Sequence, residues 1–143
     1  MKRSEFLKLS CTGCLLGAAG LLSATSLLSC SPAAGLAVYK TPVTDKKMSI
    51  PLTQLALKEV TIVRGSGMEY DIAVRKTGDN TYEALLLRCT HFSNPLITTG
   101  KGYTCTQHGS EFDASGKVKK GPASAPLKQL KCTVVEANLV VNV

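Results

Sequence analysis

From Met48 onward the chain is written in short apolar runs with a period of two, broken by turn residues. Glu59–Arg64 sets Val60 and Ile62 beside Glu59 and Thr61, and stops at Gly65-Ser66-Gly67. Tyr70–Lys76 alternates through Ile72 and Val74, and closes on Thr77-Gly78-Asp79-Asn80. Tyr82–Arg88 is a third run and Leu139–Val143 a last one. Successive side chains of a strand point to opposite faces, so runs of this kind between Gly, Asn and Asp predict strands joined as antiparallel hairpins. The expected body is all-β and spans 48–143, with no helical stripe and no internal repeat.

The first thirty residues follow another pattern. Lys2, Arg3 and Lys8 precede the apolar, small-residue stretch Leu15–Leu28, which ends on Leu27-Leu28-Ser29-Cys30. A basic start, a short apolar centre and small residues before a cut make 1–29 an export signal. Its ending resembles a bacterial lipobox. That resemblance implies a lipid on Cys30 and a chain tethered to a bacterial membrane, outside the cytoplasm. An uncleaved transmembrane anchor is the competing reading, since no charge occurs between Leu9 and Tyr39 and about 20 apolar residues span a bilayer. The Ser, Thr and Gly content of the run favours the cleaved form. Arg3-Ser4-Glu5-Phe6-Leu7-Lys8 also resembles a twin-arginine export pattern, with Ser4 where one arginine would stand. Residues 30–47 are expected to attach the lipid and link it to the body. Pro32, Gly35 and Pro42 interrupt this stretch, and Ser31–Lys47 reaches about 60 Å when extended.

Composition narrows the picture. The 143 residues suit one modest domain, and 44% hydrophobic content is enough for a packed core. The net charge is +7, and from Ala84 onward seven Lys/Arg face three Asp/Glu. No basic helix and no aromatic interleaving accompany this excess, which excludes nucleic acid as the partner. The surplus suits docking to an acidic redox protein or anionic lipid. No Ser/His/Asp set or phosphate loop provides a substrate site.

Six cysteines in an exported chain would ordinarily mean disulfides. Here Cys11 and Cys14 fall in the export signal, Cys30 is the lipid position, and Cys132 lies in the run Cys132-Thr-Val-Val as a buried small hydrophobe. Cys89 and Cys105 remain. Each is followed within two or three residues by one of the chain's two histidines, in Cys89-Thr90-His91-Phe92-Ser93-Asn94-Pro95 and Cys105-Thr106-Gln107-His108-Gly109-Ser110-Glu111-Phe112-Asp113. Two thiolates and two imidazoles can form a tetrahedral zinc site, as in a zinc-stabilised binding module, or can divide over a two-iron cluster. The alternating order favours the second.

These segments resemble the C-x-H and C-x-x-H boxes of the Rieske iron–sulfur family, and Gly121-Pro122-Ala123-Ser124-Ala125-Pro126-Leu127 resembles its proline loop. The resemblance implies stacked antiparallel sheets with a [2Fe–2S] cluster at one tip under three loops. It implies Cys89 and Cys105 on the inner iron, His91 and His108 on the outer iron, and reversible one-electron transfer. Ser110 would donate to a cluster sulfur, while Phe92 and the loop from Pro122 would shield the cluster. Quinol-oxidising members add a cysteine to each box and join the two as a disulfide. Asn94 and Gln107 occupy those positions here, and Phe112 stands where such members have a tyrosine. Fewer hydrogen bonds to the sulfurs imply an intermediate potential, within a family range of roughly −150 to +300 mV. The expected role is a tethered electron carrier. The alternatives are a subunit of a quinol-oxidising or molybdenum-containing, arsenite-oxidase-like complex, or a ferredoxin serving a ring oxygenase, which the export signal disfavours.

Overall fold

The computed structural model describes residues 38–143, so the export segment, Cys30 and the first part of the expected linker lie outside the described residues. Strands β1 (Val38–Thr41), β3 (Val60–Gly65), β4 (Ile72–Gly78), β5 (Thr81–Leu86) and β10 (Gln129–Leu130) form a five-stranded sheet in the order β1-β3-β4-β5-β10. Strands β11 (Cys132–Val135), β12 (Asn138–Asn142) and β2 (Lys47–Pro51) form a second, and β6 (Ile97–Thr98), β7 (Gly102–Thr104), β8 (Glu111–Asp113) and β9 (Val118–Lys120) a third. Among the described residues, every strand pairing is antiparallel except β1 on β3. One single-turn helix, α1 (Leu52–Leu55), follows β2. The all-β reading holds, and among the described residues no helix is long and apolar enough to cross a membrane.

The five-stranded sheet is the middle layer, and its registers show why. Ile62, Ala73 and Leu85 stand opposite one another across β3, β4 and β5. They belong to a core shared with Cys89, Cys105 and Phe112. Their chain neighbours Val63, Ile72, Val74 and Ala84 point the other way, into a core with Met48, Ile50, Leu139 and Val141 of the three-stranded sheet. Each fully buried aliphatic side chain contributes about 1.5–3 kcal/mol, so both faces of the sheet are fixed. Burial on both faces accounts for the contiguous apolar residues in these strands. Thr61 is buried with its hydroxyl unpartnered.

Two expectations are corrected. The stretch 38–47, expected to be linker, is strand and turn. β1 pairs with β3 from Val38↔Ile62 to Thr41↔Gly65, and Thr44 bridges Lys47. Parallel ladder hydrogen bonds to β3 pair its backbone there. Cys132 is a free thiol but only half-buried, and donates to the Tyr82 carbonyl at 3.3 Å. Burial, and to a lesser degree Glu83, pushes this thiol's pKa up.

The third sheet has a particular place in the chain. β5 and β10 are hydrogen-bonded neighbours, with Leu85 opposite Gln129 and Ala84 opposite Leu130. Everything between them, β6 to β9 and their loops, is an excursion that departs from and returns to the same edge.

Candidate metal centre

Three loops of that excursion converge. The first, residues 87–96, joins β5 to β6; the second, 105–110, joins β7 to β8; the third, 121–128, joins β9 to β10. The first two are closed by the same pair of backbone bonds. Cys89 N–H donates to the Asn94 carbonyl at 2.8 Å, and Ser93 N–H donates to the Cys89 carbonyl at 2.9 Å. Correspondingly, Cys105 N–H donates to the Ser110 carbonyl and Gly109 N–H to the Cys105 carbonyl, both at 2.9 Å. Such closure turns the chain sharply at the fifth residue, which takes the left-handed conformation in each: Ser93 at φ 50° and Gly109 at φ 74°.

The turns set the donors at two depths. Cys89 and Cys105 are buried, at 1% and 0% exposure, among Leu87, Leu96, Tyr103 and Phe112. His91 and His108 are exposed, with ring centroids 5.0 Å apart and planes at 89°. Two thiols inside and two imidazoles outside form separate pairs. That division fits a group with two metal atoms, and soft thiolates suit iron–sulfur chemistry.

Burial pushes the Cys105 thiol up. The backbone N–H groups of His108 and Gln107, then the Cys89 thiol and the Asn94 side chain, together outweigh it and hold the pKa below the ordinary thiol value. Donors aimed at this sulfur favour its anionic, ligating form. Asn94, in the first loop, thereby acts on a sulfur of the second.

The surrounding residues lie at different depths. Ser110 is fully buried, and its Oγ accepts from Ala123 N–H at 3.0 Å, leaving the hydroxyl proton free to be donated. Phe112 is buried in the same core as both cysteines. Phe92 is 67% exposed, yet its ring lies 4.8 Å from His91 and 5.8 Å from His108, so it flanks the imidazole pair rather than covering the thiols. Pro122 follows a cis peptide bond and is exposed; the third loop packs inward through Ala123 and Leu127 instead. Thr90 was not singled out from the sequence. Its hydroxyl donates to the Ala125 carbonyl at 2.6 Å, tying the first loop to the third. Nothing in a Thr between Cys and His announces that bond.

The Rieske [2Fe-2S] domain family matches residues 50–131. The chloroplastic cytochrome b6-f complex iron-sulfur subunit of Chlamydomonas reinhardtii is 38% identical over 68 residues, 45% of this chain and 33% of that protein. The ubiquinol-cytochrome c reductase iron-sulfur subunit of Rickettsia typhi is 42% identical over 55 residues, 36% of this chain and 31% of that protein. The aligned segments span about a third of the length of these curated relatives. Among solved structures, the cyanobacterial plasma membrane Rieske protein PetC3 from Synechocystis PCC 6803 superposes with a TM-score of 0.52 at 26% identity, over 65% of this chain and 95% of that one.

Proposed function

The chain belongs to the Rieske [2Fe-2S] domain family, and from that premise we propose that Cys89 and Cys105 hold the inner iron of its cluster and His91 and His108 the outer one. The observation that carries this assignment is the division of the four side chains by depth, thiols buried and imidazoles exposed. A cluster so held supplies reversible one-electron transfer. The protein's residues keep water from the thiols with Leu96, Phe112 and Leu127, aim backbone N–H groups at Cys105, and present the imidazoles to a partner. Electron transfer weakens steeply with distance, so the exposed imidazoles are the natural exit.

We further propose that this carrier works outside the cytoplasm, tethered through Cys30, on the strength of the basic and apolar pattern of residues 1–29. The names of the relatives support a second reading, in which the chain serves as the iron–sulfur subunit of a larger oxidoreductase. Purification from its native membrane separates the two, because a subunit brings a cofactor-bearing chain with it and a stand-alone carrier does not.

The experiment for the assignment is iron and sulfide analysis with visible and EPR spectra of the isolated chain, before and after dithionite. Two irons, two sulfides and a reduced signal with average g below the free-electron value are expected. Cys89→Ser, Cys105→Ser, His91→Ala and His108→Ala should each lose that signal. A colourless chain with one zinc would overturn the assignment.

A further inference from the structure

The first cluster loop turns through Ser93, a residue with a side chain in the left-handed conformation at φ 50°. Most side chains disfavour that region by about 1–2 kcal/mol, a cost that contacts from outside the turn offset here. Each polar group of Ser93 is in fact engaged. Its N–H closes the turn onto Cys89; its hydroxyl oxygen accepts from Arg88 Nε at 3.0 Å and Nη2 at 2.6 Å; its carbonyl accepts from the Tyr70 hydroxyl at 2.6 Å. The Arg88 guanidinium also lies 5.7 Å above the Tyr70 ring. Tyr70 stands in the connection between β3 and β4, and the carbonyl of the next residue, Asp71, accepts from Leu87 N–H at 2.9 Å. The three side chains therefore lash the turn to the middle sheet.

We propose that Tyr70, Arg88 and Ser93 form a non-covalent clamp that positions the Cys89–Asn94 loop, and through it His91, against the cluster. Three contacts meeting on one strained residue, two positions from His91, distinguish this set from scattered surface bonds. The second loop contains no counterpart: Gly109 has no side chain to grip, and it adopts its φ of 74° without restraint. With Asn94 and Gln107 in place of the disulfide pair, the first loop needs such a restraint. Glu69 also draws on this hydroxyl: its side-chain hydrogen bond, ahead of burial, raises the Tyr70 pKa against the pull of Arg88, so Glu69 competes with the Ser93 carbonyl for the one phenol proton. The clamp's action on His91 rests on the ligand assignment above.

Tyr70→Phe and Arg88→Gln keep bulk and remove donors; both residues lie toward the surface, so the fold should survive. Arg64→Gln, which breaks an exposed pair with Asp71, is the control. On the cluster-loaded full chain, three readouts apply: the rate of bleaching by an iron chelator, the g values of the reduced signal, and hydrogen exchange of peptides covering each loop. The expected result for Tyr70→Phe is bleaching about five-fold faster, the equivalent of one hydrogen bond, with shifted g values. Exchange should quicken at 89–94 and not at 105–110. Arg88→Gln should do more, and Arg88→Lys should recover part of the loss. Bleaching, g values and exchange unchanged in both variants would overturn the clamp, as would equal loosening of both loops. If the unvaried chain itself gave no Rieske-type signal, the ligand assignment would fall, and exchange at 89–94 in the same variants would still decide whether the clamp exists.

Discussion

The two cysteine–histidine loops share one backbone frame and are stiffened by opposite means. In both, the cysteine N–H reaches a carbonyl five residues on, and the residue before that carbonyl donates back to the cysteine carbonyl. The second loop meets the frame's demand for a left-handed turn with Gly109, which accepts it freely. The first meets it with Ser93, restrained by Arg88 and Tyr70. The histidines differ as well, lying two residues after Cys89 and three after Cys105. The same turn thus delivers imidazoles from different corners, and the rings meet edge to face instead of colliding. A conserved geometry at the donor atoms does not require the same reinforcement behind them.

The second loop's support is the place where the comparison breaks most severely. A Cβ added at Gly102, where β7 begins, would lie 2.1 Å from the Phe112 carbonyl oxygen. Gly102→Ala should therefore cost about 3 kcal/mol, and thermal unfolding would reveal it. Within the loops, Gly109→Ala should cost about 1–2 kcal/mol by forcing a side chain into the left-handed region. Ser93→Gly relieves that same backbone penalty while losing the Arg88 contact, so it should cost less in the same assay. Equal costs would show that the frame, and not its reinforcement, governs both loops.

Smaller changes test the electronic and acid-sensitive sides. Phe112→Tyr places a hydroxyl in the core that contains both thiols. A new bond to a sulfur stabilises the reduced state and should raise the potential by about 40 mV, the equivalent of about 1 kcal/mol; an unchanged or lower value in a redox titration would refute this. Asp113, at the end of β8, accepts from Ser115 N–H, Ser115 Oγ and Lys117 N–H. The Ser115 hydroxyl leads these bonds in lowering its pKa, with burial opposing them. A depressed carboxylate stabilises the fold above its unfolded pKa of about 3.9 and loses that contribution as the pH falls through the lower, folded value. Asp113→Asn should remove less than about 1 kcal/mol of stability at neutral pH, and should weaken the acid-induced rise in hydrogen exchange at 105–120 while leaving 87–96 unaffected.

Much of this molecule was legible because its chemistry sits in tight local spacings. Cys89 and His91, or Cys105 and His108, cannot be far apart, so sequence alone brings each pair together. The main strands were legible too, since runs such as Tyr70–Lys76 overlap β4 closely. The short strands β6 to β9 were not, because two or three residues contain no readable period and owe their state to partners across the sheet. β1 escaped notice for a related reason: Val38–Thr41 lies beside Pro42 and becomes a strand only through its parallel pairing with β3. The two-sided burial of the middle sheet was also hidden, although contiguous apolar pairs such as Ile62-Val63 and Ala84-Leu85 carried the signal. The supports behind the donors, Tyr70, Arg88 and Thr90, depend on contacts as distant as Thr90 to Ala125, which no local pattern encodes.

The pairing of β5 with β10 gives the excursion a single doorway. Leu86 N–H donates to the Lys128 carbonyl at 2.9 Å, directly beside the point where the chain departs and returns. Length added or removed within 87–128 therefore need not shift the register of the sheet that receives it, because both ends remain fastened to each other. Seen as engineering, the segment is a cartridge in a socket: insertions at its rim could reshape the surface that meets a redox partner, while the frame behind stays in registration.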